Sequence, residues 1–96
     1  MKVVVLITDS NAMTEFERAC LSNPERGFTI VPKVVGRGKT GLKTGDRVHP
    51  GGSSLLFTVV PDAELDSTLG FLKQVRDQAG VKEATKLYVT GVEEIA

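Results

Sequence analysis

Two unbroken apolar runs set the first constraint on what this chain can fold into. "KVVVLIT", from Lys2 to Thr8, and "SLLFTVV", from Ser54 to Val60, show no alternation of apolar and polar residues. A strand with one wet face alternates; a continuous run marks a strand covered on both faces, at the centre of a sheet. Two further segments read as strands of another kind. Phe28 to Val35 carries Pro32, which cannot donate to a ladder and so belongs at a sheet edge. "KLYVTGV", Lys86 to Val92, alternates and forms the last strand.

Helices fill the gaps between these strands. Asp9-Ser10-Asn11 is turn chemistry, and Thr14-x-x-Glu17 has the spacing of a capping box. Met13, Phe16 and Cys20 follow at i, i+3 and i+7, and Asn23-Pro24 ends this short helix. Pro61-Asp62 opens a longer helix with Asp62 as its N-cap. Leu65, Leu69, Leu72, Val75 and Ala79 make its apolar stripe, and Gly80 closes it. The order is therefore β-α-β-β-α-β, with no repeat and no linker, over a single domain of residues 1–96. Two such halves make an α+β ferredoxin-like sandwich, a four-stranded antiparallel sheet with both helices on one face. The first and third strands are central in that fold, where the two apolar runs fall.

One consequence is immediate. Two helices cover one sheet face, yet both faces of the central strands are apolar, and an uncovered patch of that kind invites association. A chain this short also buries only about 60–65% of its unfolded surface. Both arguments predict an obligate oligomer packed sheet to sheet, with closed rotational symmetry as its simplest form.

Twelve basic and twelve acidic residues cancel, which excludes a protein that coats nucleic acid or an anionic membrane. No apolar run approaches the ~20 residues of a membrane span, so membrane insertion is not expected. The single cysteine, Cys20, has no disulfide partner in the chain and sits on the apolar stripe as a core thiol. A strand beginning at residue 2 leaves no room for a signal peptide. These features together predict a cytosolic protein.

The charge is uneven in one place. Arg37, Lys39, Lys43 and Arg47 face only Asp46 within "VGRGKTGLKTGDRVHPGGSS", Val35 to Ser54, which also holds six of the ten glycines. A phosphate-binding P-loop would need a glycine five positions before Gly38-Lys39-Thr40 and a helix after it. The position holds Lys33, and Gly41, Gly45 and Pro50-Gly51-Gly52 forbid the helix. The P-loop is rejected. What remains is a connection of roughly 15 residues, long enough that function or plain flexibility must explain it.

"MTEFERACLSNPERGFTI", then "GRGKTG", a long arm, a strand and a helix resemble the PII family of nitrogen-regulatory signal proteins. Gly27-Phe28-Thr29-Ile30 is similar to the family's Gly-hydrophobic-Thr-hydrophobic step. Gly36-Arg37-Gly38-Lys39 is similar to the Gly-x-Gly-Arg that precedes its T-loop, with lysine for arginine and about one extra residue of spacing. The resemblance implies a homotrimer without catalysis of its own. It implies an effector, ATP or ADP or another small anion, bound in the subunit cleft by Thr29, Gly36, Arg37, Gly38, Lys39 and Lys86. It also implies an arm over residues 37–53 that docks on a target transporter or enzyme through Lys43, Arg47 and His49.

The sequence departs from the family at the B-loop, where "GVKEATK" keeps Gly80, loses the other glycines and adds Glu83. The C-terminal arginines are replaced by "GVEEIA", and the arm has no tyrosine, Tyr88 lying in the last strand. The nucleotide site is therefore expected to be remodelled or lost. Two alternatives follow: a trimeric metal-binding protein of CutA type using His49 and Asp46 from neighbouring subunits, or a scaffold whose site has decayed. An enzyme is not expected. Asp9, Asp46, Asp62 and Asp66 form no spaced acid pair, and Ser53-Ser54 has no base beside it in sequence.

Overall fold

The computed structural model describes residues 1–34 and 52–96, together with the backbone of 36–38 and 41–43. Strand β1 (Lys2–Asp9) runs directly into helix α1 (Ser10–Leu21), and β2 (Thr29–Val34) follows. Short strands β3 (Gly36–Gly38) and β4 (Gly41–Lys43) come next, then β5 (Ser53–Val60), helix α2 (Leu65–Ala79) and β6 (Lys86–Gly91). The main sheet has the order β2-β5-β1-β6 with every pairing antiparallel, the ferredoxin-like arrangement that the sequence predicts. The two apolar runs are its central strands, and the proline-bearing strand is an edge.

Period-two alternation divides the central strands. Val4, Leu6 and Leu56 point to the helices and are buried with Met13, Phe16 and Cys20 of α1 and Leu72 of α2. Burying side chains of this size stabilises the fold by about 1.5–3 kcal/mol each, so α1 is held mainly by its three-residue stripe. The opposite face carries Val3, Val5 and Ile7 from β1. Register places them against Val59, Phe57 and Leu55 of β5. On that face Val31 and Tyr88 of the edge strands and Val59 near the end of β5 are exposed. Among the described residues no helix lies over this side.

Three local expectations change. Helix α1 begins at Ser10, not Thr14, so Thr14 and Glu17 are mid-helix and form no capping box. The Ser10 amide instead donates to the Gly52 carbonyl at 3.1 Å, so the start of β5 satisfies the helix end that a capping side chain would otherwise serve. Asp62 opens a 3-10 turn, Asp62–Glu64, ahead of α2 and makes no capping bond. Its carboxylate takes the Met1 amino terminus at 2.9 Å. The hydrogen bond and the charge of that amine hold the Asp62 carboxyl below its usual range. The third change is in β2, where the register shifts between Val31 and Val34. Lys33 sits there with φ 54°, a left-handed conformation that a non-glycine residue adopts at some cost. This bulge takes up one extra residue in β2 relative to β5.

Gly80 ends α2 as predicted. Its φ of 69° is left-handed, and the amides of Gly80 and Val81 donate to the carbonyls of Asp77 and Arg76. No helix among the described residues is long and apolar enough to cross a membrane.

Candidate functional site

The arm leaves and re-enters the sheet at one end, and a set of small hydroxyls fixes that end. Thr8 is the penultimate residue of β1, Ser10 opens α1, Ser54 lies near the start of β5, and Thr85 immediately precedes β6. Ser10 and Ser54 hydroxyls meet at 2.7 Å, and the Lys33 amide in the bulge donates to Ser54 Oγ at 3.3 Å. Thr85 Oγ1 donates to the Val81 carbonyl at 2.7 Å and lies 2.9 Å from Thr8 Oγ1. A hydroxyl has one proton, so Thr8 must be the donor in the Thr8–Thr85 pair. Thr8, Ser54 and Thr85 are all buried. Ser54 is thus a structural junction between α1, β2 and β5.

The same hydroxyls fix the turn between α2 and β6. Between α2 and β6 the Ala84 amide donates to Val81 O and the Thr85 amide to Lys82 O, at 3.2 and 3.4 Å. Thr85 then ties the turn to β1. Gly80 alone in this segment has positive φ, so the turn is set by hydrogen bonds to hydroxyl and carbonyl groups rather than by glycine freedom.

Of the residues implied as effector ligands, Thr29 and Lys86 are described in full. Thr29 pairs with Phe57, which pairs with Val5, whereas Lys86 pairs with Ile7. Paired residues share a face. Both therefore lie on the uncovered face, and both are exposed. They occupy opposite edge strands, three strand spacings or about 14 Å apart and two residues out of register. A single chain does not bring them together.

The backbone of Gly36, Arg37 and Gly38 forms β3, which pairs with β4 in a two-stranded ribbon, Gly36 opposite Lys43 and Gly38 opposite Gly41. A strand at 41–43 in place of a helix agrees with rejecting the P-loop. Lys39, Asp46, Arg47 and His49, and the side chains of Arg37 and Lys43, lie outside the described residues. Among the described residues no group of three His, Cys, Asp or Glu side chains could hold a metal ion.

One charged residue was not singled out by its sequence pattern. Arg26, in the loop before β2, stacks on Phe71 with its guanidinium carbon 4.7 Å from the ring centroid and donates to Thr68 Oγ1 at 3.3 Å. Its partners are over forty residues away on α2, so no local motif could announce the contact.

The elements define a ferredoxin-like α+β sandwich with one open, apolar sheet face and an arm rooted in a bulged edge strand. No family model and no curated protein matches the sequence. Solved structures match the fold. A DUF3240 family protein from Shewanella baltica superposes with a TM-score of 0.72 at 12% identity, over 99% of this chain and 92% of that one. CPII from Thiomonas intermedia, a nitrogen regulatory PII-like protein bound to ADP, AMP and bicarbonate, superposes with a TM-score of 0.60 at 18% identity, over 93% and 82% of the two chains. A second structure of CPII, with ADP and bicarbonate, gives 0.60 at 21% identity over the same shares. At these identities the likeness is one of fold.

Proposed function

We propose that this chain is a non-catalytic, cytosolic PII-like regulator that works as a homotrimer. In this reading a small effector binds in the cleft between subunits and sets the conformation of the 37–53 arm. The arm, through Lys43, Arg47 and His49, then engages or releases a target enzyme or transporter. The observation that carries the proposal is the placement of Thr29 and Lys86 on one exposed face at opposite edges of the sheet. A second sheet packed on that face is the simplest way to set the Thr29 of one subunit beside the Lys86 of another. The need of the apolar face for a cover supports the same assembly. Gly36, Arg37, Gly38 and Lys39 enter the cleft as the root of the arm.

An adenine nucleotide is the effector to test first, because the fold neighbour CPII holds ADP and AMP. Bicarbonate, which CPII also holds, is the second. Effector binding acts as a population shift, and its size is set by how differently the ligand binds the two arm states. Isothermal calorimetry with ATP, ADP and AMP, each with and without bicarbonate, checks the proposal. Saturable heat with at least one nucleotide is expected, and its loss in a Lys86→Ala variant ties it to the cleft. Absence of heat with all three removes the nucleotide reading and leaves a scaffold with a decayed site.

A further inference from the structure

Of the strand pairings in the main sheet, only β2 against β5 breaks register. Thr29, Ile30 and Val31 face Phe57, Leu56 and Leu55 in step, and Val34 then faces Ser53, so Pro32 and Lys33 together oppose Ser54. Lys33 has φ 54°, and among the described residues no other non-glycine residue has a positive φ. Little hydrogen bonding holds this irregularity. Pro32 has no amide to give, and the Lys33 amide reaches Ser54 Oγ at a long 3.3 Å. β2 is an edge strand, so within the main sheet only β5 sets its register.

The bulge decides which side chain meets the open sheet face. Ser53 pairs with Asp9 and Leu55 with Ile7, so Ser53 lies on the face of Val3, Val5 and Ile7. Val34, opposite Ser53, shares that face with Val31 and is half-buried, while Lys33 is exposed. Without the bulge Lys33 would oppose Ser53, and its ammonium would take the place of Val34 on the apolar face. The two registers therefore trade opposed costs of similar order. The bulged one holds a residue with a Cβ in the left-handed region, and the straight one sets a charge where an isopropyl group had been half-buried.

We propose that β2 is a register switch at the root of the arm, with the bulged and straight registers both populated. A slip of one residue moves the backbone that follows, including Gly36–Gly38 of β3, by about 3.3 Å and turns each side chain to the other face. A ligand that favours one register draws β2 into it. What the slip controls rests on the reading of residues 37–53 as an effector-set arm. The slip itself is a property of the chain, so its test needs no nucleotide, and its failure leaves the calorimetric experiment untouched.

Chemical-exchange saturation transfer on the ¹⁵N-labelled protein is expected to show a minor state of about 1–10% at the amides of Lys33, Val34 and Ser54. Two substitutions trap the ends of the switch. Lys33→Gly removes the cost of the left-handed conformation, and is expected to keep Val34 in proton contact with Ser53 and abolish the minor state. Lys33→Val disfavours that conformation and suits the apolar face. Residue 33 is then expected to replace Val34 opposite Ser53, with amide shifts that match the minor state. A Lys33→Val chain that keeps Val34 opposite Ser53, or whose β2 pairs with nothing beyond Val31, overturns the proposal. So does the absence of exchange at these amides in the unaltered protein, a measurement that decides the matter even where a variant does not fold.

Discussion

Ser54 shows how one small side chain can join three elements. Its hydroxyl meets Ser10 of α1 and accepts from the strained Lys33 amide of β2, and the residue is 2% exposed. Ser54→Ala removes an acceptor from a part-buried amide and a partner from a hydroxyl, and is expected to cost about 0.5–1.5 kcal/mol, read as a lower urea midpoint at unchanged slope. Cys20 behaves in the opposite way. Burial in the core pushes its thiol above the ordinary value of 9.0, with Arg26 opposing weakly. The folded state thus holds the thiol proton more tightly than the unfolded chain. Its contribution to stability is present below the ordinary thiol pKa and is lost as pH rises through the raised one. Iodoacetamide is accordingly expected to label Cys20 slowly in the folded protein at pH 8 and rapidly in urea; equal rates would count against a buried thiol. The burial of Cys20 could be read from the spacing of Met13, Phe16 and Cys20. The roles of Ser54 and Arg26 could not, because each depends on contacts across the fold that no local pattern encodes.

At the level of elements, periodicity carried most of the information. The two continuous apolar runs became central strands and Pro32 became an edge, because burial on two faces and the loss of a ladder donor are properties of the segment itself. Helix starts were less legible. The Ser10 amide is satisfied by Gly52 from another strand, and Asp62 is drawn to the amino terminus, so tertiary partners replaced the capping residues that local chemistry favoured. Glycines in and after α2 give a paired test of the same backbone logic. Gly80 has φ 69° and Gly70 is helical, and an added Cβ meets nothing within 4 Å at either position. Steric contact therefore drops out, and only the backbone decides. Gly80→Ala is expected to destabilise by about 1–2 kcal/mol, since a Cβ is disfavoured in the left-handed region. Gly70→Ala is expected to stabilise by about 0.5–1 kcal/mol, since alanine orders more cheaply within a helix. Thermal or urea unfolding of both variants reads the two opposite signs.

For the whole molecule the decisive feature is the sheet face over which no helix of the described residues lies. Apolarity on both sides of β1 and β5 was plain in the sequence, and the structure adds which residues are left outside: Val59 is 46% exposed and Tyr88 58%. The route of the arm was not legible in the same way, since glycine and charge permit many backbone paths and its side chains lie outside the described residues. The open face and the candidate effector residues make one linked prediction. Val59 already faces solvent in a single chain, so Val59→Lys costs the subunit little, whereas between two packed sheets it would bury an ammonium without a partner. Light scattering is expected to give the unaltered protein three times the 10.3 kDa of one chain, and Val59→Lys a single chain with an unchanged far-ultraviolet spectrum. Because Thr29 and Lys86 sit on opposite edges, about 14 Å across the sheet and two residues out of register, the same variant should lose nucleotide heat although neither residue is altered. A monomeric Val59→Lys that still binds ATP as tightly as the unaltered protein would place the effector within one subunit and break the link between assembly and the cleft.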